Sequence, residues 1–250
     1  MNISAIVLAK NNEDTITNTL QSLRSFSDVV LYDNGSTDKT IQISKKFSNV
    51  TLIKGEFKGF GWTKNEAVRF AKNDWVIIID SDEVIDSKLL QTLQTKKLNS
   101  TTVYQLNFKA FYKDIQVKYC GWNNQKIKRM YNKTKTSYNM NAVHEDIISE
   151  GLSIELLDGN VEHYSYHTIS QFITKANYYS TLFAKNNVGK KNSSPTKAIL
   201  NALYSFIKTY FFKRGFLDGY VGLIISFSHM VTNFYKYIKL YELNQELDSK

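Results

Sequence analysis

The 250-residue chain has one cysteine and one proline. A lone thiol, Cys120, excludes an intrachain disulfide and fits a reducing compartment. The single proline, Pro195, argues against long rigid linkers. No apolar run amounts to the about 20 residues a spanning helix needs. The nearest, Phe216 to Val231, is broken by glycine, Asp218 and His229. The start, Met1 to Ile6, has neither a basic segment nor a long apolar core, so it reads as a first strand and not as a signal peptide. Two phosphate-loop patterns are also missing. Without GxGxxG after the first strand, or GxxxxGK[ST] anywhere, neither a dinucleotide-binding Rossmann site nor a P-loop has support.

Apolar and aromatic residues, 42% and 14% of the chain, are enough for a folded core at this length. One α/β domain with a small appendage is the natural size. The net charge of +9 is unevenly placed. From Thr102 to Asn141 the basic residues are Lys109, Lys113, Lys118, Lys126, Lys128, Arg129, Lys133 and Lys135, against Asp114 alone. From Gln171 onward eleven Lys/Arg face four Asp/Glu. Such fields attract phosphates, anionic lipid or nucleic acid.

The chain is organised around Val76-Ile77-Ile78-Ile79-Asp80-Ser81-Asp82. Four branched aliphatics read as a strand buried on both faces, and two carboxylates sit where it leaves the sheet. Ligands bind at carboxyl ends of strands in open α/β sheets. Paired carboxylates there suit Mg²⁺ or Mn²⁺, although acids at a helix start would look the same. Ile3–Leu8, Val29–Asp33 and Val50–Lys54 are further strands. Helices are predicted from Asp14, capped by Asn12, from Ser36 or Thr37 through Phe47, and over Thr63–Asn73. The alternation implies right-handed crossovers and a mostly parallel, doubly wound sheet, Rossmann-like in layout.

Beyond residue 100 the pattern changes. Tyr104 to Tyr112 alternates as a half-exposed strand, and Ile127–Tyr131 and Gly159–Tyr166 are strand candidates. Helices are expected over Ser170–Asn187, Thr196–Phe212 and Gly219–Leu243, with Gly189 to Pro195 as a linker. Three strands thus end on, or are followed by, acids: Glu13, Asp33 and the Asp80/Asp82 pair.

At these residues the sequence resembles the family 2 inverting glycosyltransferases of GT-A fold. Val7-Leu8-Ala9-Lys10-Asn11-Asn12-Glu13 looks like their first strand and turn. Asp33-Asn34-Gly35-Ser36-Thr37-Asp38-Lys39-Thr40 matches their D-x-G-S-x-D-x-T signature. Gly61-Trp62-Thr63-Lys64-Asn65-Glu66-Ala67 matches a glycine-to-asparagine helix start, and Asp80-Ser81-Asp82 is the D-x-D. The resemblance implies that Ala9, Glu13, Asp33, Lys64, Asn65, Asp80 and Ser81 hold a UDP-hexose. It implies Asp82 as ligand of Mn²⁺ or Mg²⁺, joined by His163, for which a packed, hydrogen-bonded role stays open. The base expected for the acceptor hydroxyl is Glu145 of Val143-His144-Glu145, with Asp146 as runner-up.

Trp122, Lys128, Arg129 and Tyr131 are the acceptor-side candidates, because rings stack on sugars and cations bind phosphates. Ordinary strand packing is the alternative. Residues 1–168 would form the catalytic domain, with a nucleotide-sugar half (1–100) and an acceptor half (101–168). Residues 169–250 would form an amphipathic helical region. Its tail, Arg214-Gly215-Phe216-Leu217-Asp218-Gly219, is similar to that of lipopolysaccharide or lipooligosaccharide core β-1,4-glucosyltransferases. That subgroup implies transfer of glucose to a lipid-linked heptose by a peripheral enzyme on the cytoplasmic face of the inner membrane. Capsule, undecaprenyl-linked and protein acceptors stay open, as does a homo-oligomer contact for the tail. Nucleic acid is not expected as a partner.

Overall fold

The chain is described by a computed structural model covering residues 1–140 and 145–249. It divides into two compact units, residues 1–109 with 124–164 and residues 110–123 with 165–250. The units part at 164/165, against the expected boundary at residue 168, and residues 110–123 group with the C-terminal helices.

The first unit is built on β1 (Ile3–Ala9), β2 (Asp28–Asp33), β3 (Val50–Lys54) and β4 (Trp75–Asp80). They run parallel in the order β3-β2-β1-β4, with Ile6 beside Val30 and Ile78. The crossovers carry α1 (Ile16–Ser22), α2 (Thr40–Ser44) and α3 (Phe60–Val68). Successive strand residues face opposite sides, and both sides are covered. Ile3, Val7, Leu31, Ile77 and Ile79 pack with Ile16, Leu20 and Leu23 of the α1 region. Ile6, Val30, Val76 and Ile78 pack with Ala67, Val68 and Ala71 of the α3 region. Each buried aliphatic contributes about 1.5–3 kcal/mol. An Ile78→Asp change would put an unpaired charge in the α3 layer and break it.

Past β4 the sheet turns antiparallel. β5 (Glu83–Ile85), β6 (Thr102–Tyr112), β7 (Ile115–Val117), β8 (Gln125–Asn132) and β9 (Ser153–Tyr166) complete it. The order continues β4-β8-β6-β9-β5, with β7 on the far part of β6. β8 runs antiparallel to β4 and β6, and β5 to β9. The fold is therefore the expected GT-A-like arrangement, with its parallel character confined to the first four strands. Between β5 and β6, α4 (Ser87–Thr95) is capped by Asp86, whose carboxylate accepts the Leu89 N–H at 2.7 Å.

Three helix starts differ from the sequence reading. The Asn12 side chain accepts the Lys10 N–H at 2.8 Å, so it does not cap α1. Ser36 and Thr37 are committed to Asn11, and the cap-like bond at α2 comes from Asp38, which accepts the Thr40 N–H at 2.9 Å. Gly59, at φ 94°, starts α3 three residues earlier than expected.

In the second unit, α5 (Ile169–Asn187) and α7 (Gly219–Asp248) pack with the β6–β7 hairpin end, and α6 (Pro195–Ile207) packs on α7. Thr168 and Gln171 form a reciprocal capping box on α5, and Ser194 caps α6 ahead of Pro195. Tyr112, Val117, Cys120, Phe172, Val221 and Ile225 make its core. The expected linker after α5 is pinned to α7, with the Ser193 hydroxyl donating to the Tyr237 carbonyl at 2.6 Å. No described helix is long and apolar enough to cross a membrane.

Candidate active site

The carboxyl ends of β1 and β2 lie side by side, and the Asn34 N–H donates to the Ala9 carbonyl at 2.9 Å. The two turns that follow are laced together. The Asn11 N–H donates to Ser36 Oγ at 3.0 Å, and Asn11 Oδ1 accepts the Thr37 N–H at 2.8 Å. The Glu13 N–H donates to Asp38 at 3.0 Å, and the Glu13 carboxylate accepts the Lys39 N–H at 3.1 Å. Thr40 Oγ1 accepts the Asn12 N–H at 2.7 Å. Asn11 takes the left-handed conformation that allows this, at φ 55°. The buried Asp33 carboxylate accepts the N–H groups of Gly35 and Ser36, each at 3.1 Å. Much of the D-x-G-S-x-D-x-T signature therefore shapes this rim from within. Asn11, Asp38 and Thr40 had no expected role, because their partners lie about two dozen residues away.

At the end of β4 a buried cation organises the acids. Arg129 Nη2 donates to Asp80 Oδ2 and to Glu83 Oε1, both at 2.8 Å. The second Glu83 oxygen accepts the Asp80 N–H at 2.7 Å. Burial would raise the Asp80 carboxyl, but the charges of Arg129 and Lys64 override it and hold the group well below the carboxylate range. Glu83 is fully buried, and burial with the neighbouring Asp80 charge pushes it up despite Arg129. Arg129 is 7% exposed, and its guanidinium is engaged by the acids of the D-x-D segment. Glu83 was not singled out from the sequence, although it is the third acid of Asp-Ser-Asp-Glu.

β5 and β9 pair so that Glu83 is opposite His163. This brings His163 Nε2 to 3.4 Å from Asp82 Oδ2, both side chains partly exposed. Burial alone would lower the imidazole pKa; the Asp82 hydrogen bond and charge, with Glu83 and Asp80, raise it overall. The pair offers one oxygen and one nitrogen donor side by side. No group of three His, Cys, Asp or Glu with metal-site geometry exists among the described residues. Ser81 is buried, and its carbonyl accepts the Thr19 hydroxyl at 3.0 Å.

Across from Asp80, α3 meets the segment after Tyr138. Gly61 allows this contact, because a Cβ there would fall 2.1 Å from the Asn139 carbonyl oxygen. The Asn65 amide bonds both ways to the Tyr138 backbone, at 2.9 Å each. Asn65 thus holds this segment in place. Lys64 Nζ donates to Glu145 Oε1 at 2.8 Å and lies 5.0 Å from the Tyr138 ring centre. Asp146 pairs instead with Lys128 at 2.5 Å and is half exposed. A cleft of about 320 Å³ joins Asp80, Arg129, Lys64, Tyr138, Glu145 and Asp146. Val143 and His144 lie outside the described residues.

The four acceptor-side candidates separate. Lys128 lines the cleft. Tyr131 is fully buried, edge-on to Tyr138 at 5.9 Å. Trp122 belongs to the second unit, where it stacks on Tyr166 and Phe172 at 5.4 and 6.2 Å.

Residues 4–149 match the family described as glycosyl transferase family 2. The chain belongs to that family. As a family 2 glycosyltransferase it has relatives along almost its full length. A glycosyltransferase of Rickettsia typhi is 29% identical over 97% of this chain and 87% of its own. A lipopolysaccharide core biosynthesis glycosyltransferase of Rhizobium meliloti is 24% identical over 96% of this chain and 92% of its own. Among solved structures, residues 1–349 of S. aureus TarS in complex with UDP-GlcNAc align with 100% of this glycosyltransferase and 92% of that chain, at 14% identity and a TM-score of 0.48.

Proposed function

We propose that this glycosyltransferase is a metal-dependent inverting hexosyltransferase that moves glucose from UDP-glucose onto a lipid-linked core sugar, a heptose of a lipopolysaccharide-type acceptor. One observation carries the chemistry. The candidate base Glu145 and the strand-end acid Asp80 line a single cleft, with cations on both. The core-biosynthesis name of the Rhizobium relative supports the acceptor class.

Glu145 has one carboxylate oxygen bound to Lys64, and in the proposed reaction its other oxygen takes the acceptor hydroxyl proton. As that proton moves to Glu145, the acceptor oxygen attacks the anomeric carbon. The bond from that carbon to the phosphate oxygen breaks, and its electron pair leaves with UDP. Lys64 fixes where the carboxylate points. Asp146 is the weaker choice of base, since Lys128 and the Ile147 N–H already hold its oxygens. Asp33, Glu13 and the laced rim would frame the nucleoside.

The Asp82/His163 pair fits a divalent ion, Mn²⁺ better than Mg²⁺ because one donor is an imidazole. Two protein ligands leave positions for diphosphate oxygens and water. When bound, such an ion supplies charge neutralisation for the UDP leaving group.

The test is a transfer and hydrolysis screen of the purified chain over UDP- and GDP-sugars, with Mn²⁺, with Mg²⁺ and with chelator. Turnover of UDP-glucose that the chelator stops, with transfer to a deacylated heptose core, is expected. Preference for a GDP-sugar, or full turnover in chelator, would overturn the donor or the metal part of the reading.

A further inference from the structure

The second unit holds thirteen Lys/Arg against five Asp/Glu, so it carries eight of the nine net positive charges of the chain. Most of the large apolar residues that are exposed also belong to it. The two features meet in the turn between α6 and α7. There the chain makes a π-helical turn at Lys208–Phe212, takes a left-handed residue at Arg214 (φ 55°), and makes a 3₁₀ turn at Gly215–Asp218. Phe211, Phe212, Phe216, Leu217 and Tyr220 are 47–75% exposed, beside the exposed cations Lys208, Lys213 and Arg214.

This exposure is built and not a frayed end. The Asp218 carboxylate accepts the N–H groups of Lys118 and Tyr119, at 3.0 and 2.8 Å. The Cys120 N–H donates to the Lys213 carbonyl at 3.1 Å. Gly215 is buried so closely that a Cβ would lie 2.9 Å from both Cys120 Sγ and the Thr209 carbonyl oxygen. One side of the turn is thus clamped to the β7 hairpin, and the rings are left on the other. An apolar surface held open at such a site marks an interaction surface.

We infer that the 207–220 turn inserts into the interfacial layer of an anionic phospholipid bilayer. Rings and leucine side chains would sit at the headgroup boundary while Lys208, Lys213 and Arg214 meet lipid phosphates. The main rival occupant is a second copy of this chain. It would bring two strongly positive units together across the same face, which the charge opposes. An anionic membrane is complementary to both the charge and the apolar side chains.

Flotation of the full chain with vesicles tests this without donor or acceptor, so its failure leaves the transferase reading standing. Vesicles of phosphatidylcholine with phosphatidylglycerol should carry the protein, and phosphatidylcholine alone should bind on the order of tenfold more weakly. Phe211→Ser/Phe212→Ser, and separately Lys208→Gln/Arg214→Gln, should each lower binding to anionic vesicles on the order of tenfold. High salt should weaken the wild type and leave less to lose in the charge variant. Circular dichroism checks that each variant folds. The inference fails if neutral vesicles bind as well as anionic ones. It also fails if the Phe211/Phe212 variant, folded, floats like the wild type, or if that variant turns a wild-type dimer into a monomer.

Discussion

Lys64 and Glu145, 81 positions apart in the chain, form an ion pair of 2.8 Å in which the lysine side chain is only 5% exposed. A buried lysine needs a partner, and here the partner is the group proposed to receive the acceptor proton. Glu145→Gln should lower transfer by roughly 10²–10⁴-fold while leaving UDP affinity unchanged. Isothermal titration with UDP separates the two effects. Full activity in this variant would move the base to Asp146. Lys64→Gln should reduce kcat, and Lys64→Arg should recover part of it.

Arg129 answers two carboxylates at once, and its loss would strand them. Arg129→Met should cost about 3–5 kcal/mol, since Asp80 and Glu83 would be left beside each other without a cation. Urea unfolding measures this. Adding Glu83→Gln should return part of the loss by removing the buried titratable carboxyl beside Asp80. An Arg129→Met protein as stable as wild type would mean the cluster contributes nothing to the fold.

Asp82 and His163 face each other at 3.4 Å, at the place assigned to a divalent ion. Wild-type protein should bind UDP more tightly with Mn²⁺ than in chelator. Asp82→Ala should abolish that difference, and His163→Ala should reduce it. Equal metal enhancement in Asp82→Ala would remove this residue from the site.

His229 lies on α7 with Nδ1 3.2 Å from Thr209 Oγ1. Burial, with the charges of Lys213 and Lys236, lowers its pKa to about 4. An unfolded histidine titrates near 6.5. Between those values the unfolded chain binds a proton that the folded chain refuses, so stability falls as pH drops from about 6.5 to about 4. The loss should be on the order of 3 kcal/mol at the acid end. His229→Gln, which keeps an oxygen or amide for Thr209, should flatten this part of the stability–pH curve. An unchanged curve would show that other groups govern acid unfolding.

The parallel half of the sheet was legible because strands covered on both faces are written as unbroken aliphatic runs, as in Val76 to Ile79. The GT-A-like fold and the family followed from motifs that lie within such runs or directly after them. β8 was harder to read. From Arg129 to Asn132 it is buried residue after residue, so no alternation marks which side chain faces a ligand. That is why Arg129 and Tyr131 looked available to an acceptor. The structural bond of Asn65 was not legible, because its partner, the Tyr138 backbone, is 73 residues away. The hairpin at 110–123 could not be assigned to the second unit either, since β6 runs through the boundary with one continuous alternation.

Five hydrogen bonds of 3.1 Å or less join the turns after β1 and β2. If this rim frames the nucleoside as proposed, a donor meets a surface that needs little ordering. Since each loop is the scaffold of its neighbour, damage to either should spread to both. Asn11, which carries no chemistry of its own, becomes a keystone whose replacement would loosen the donor's grip from one residue outside any expected contact.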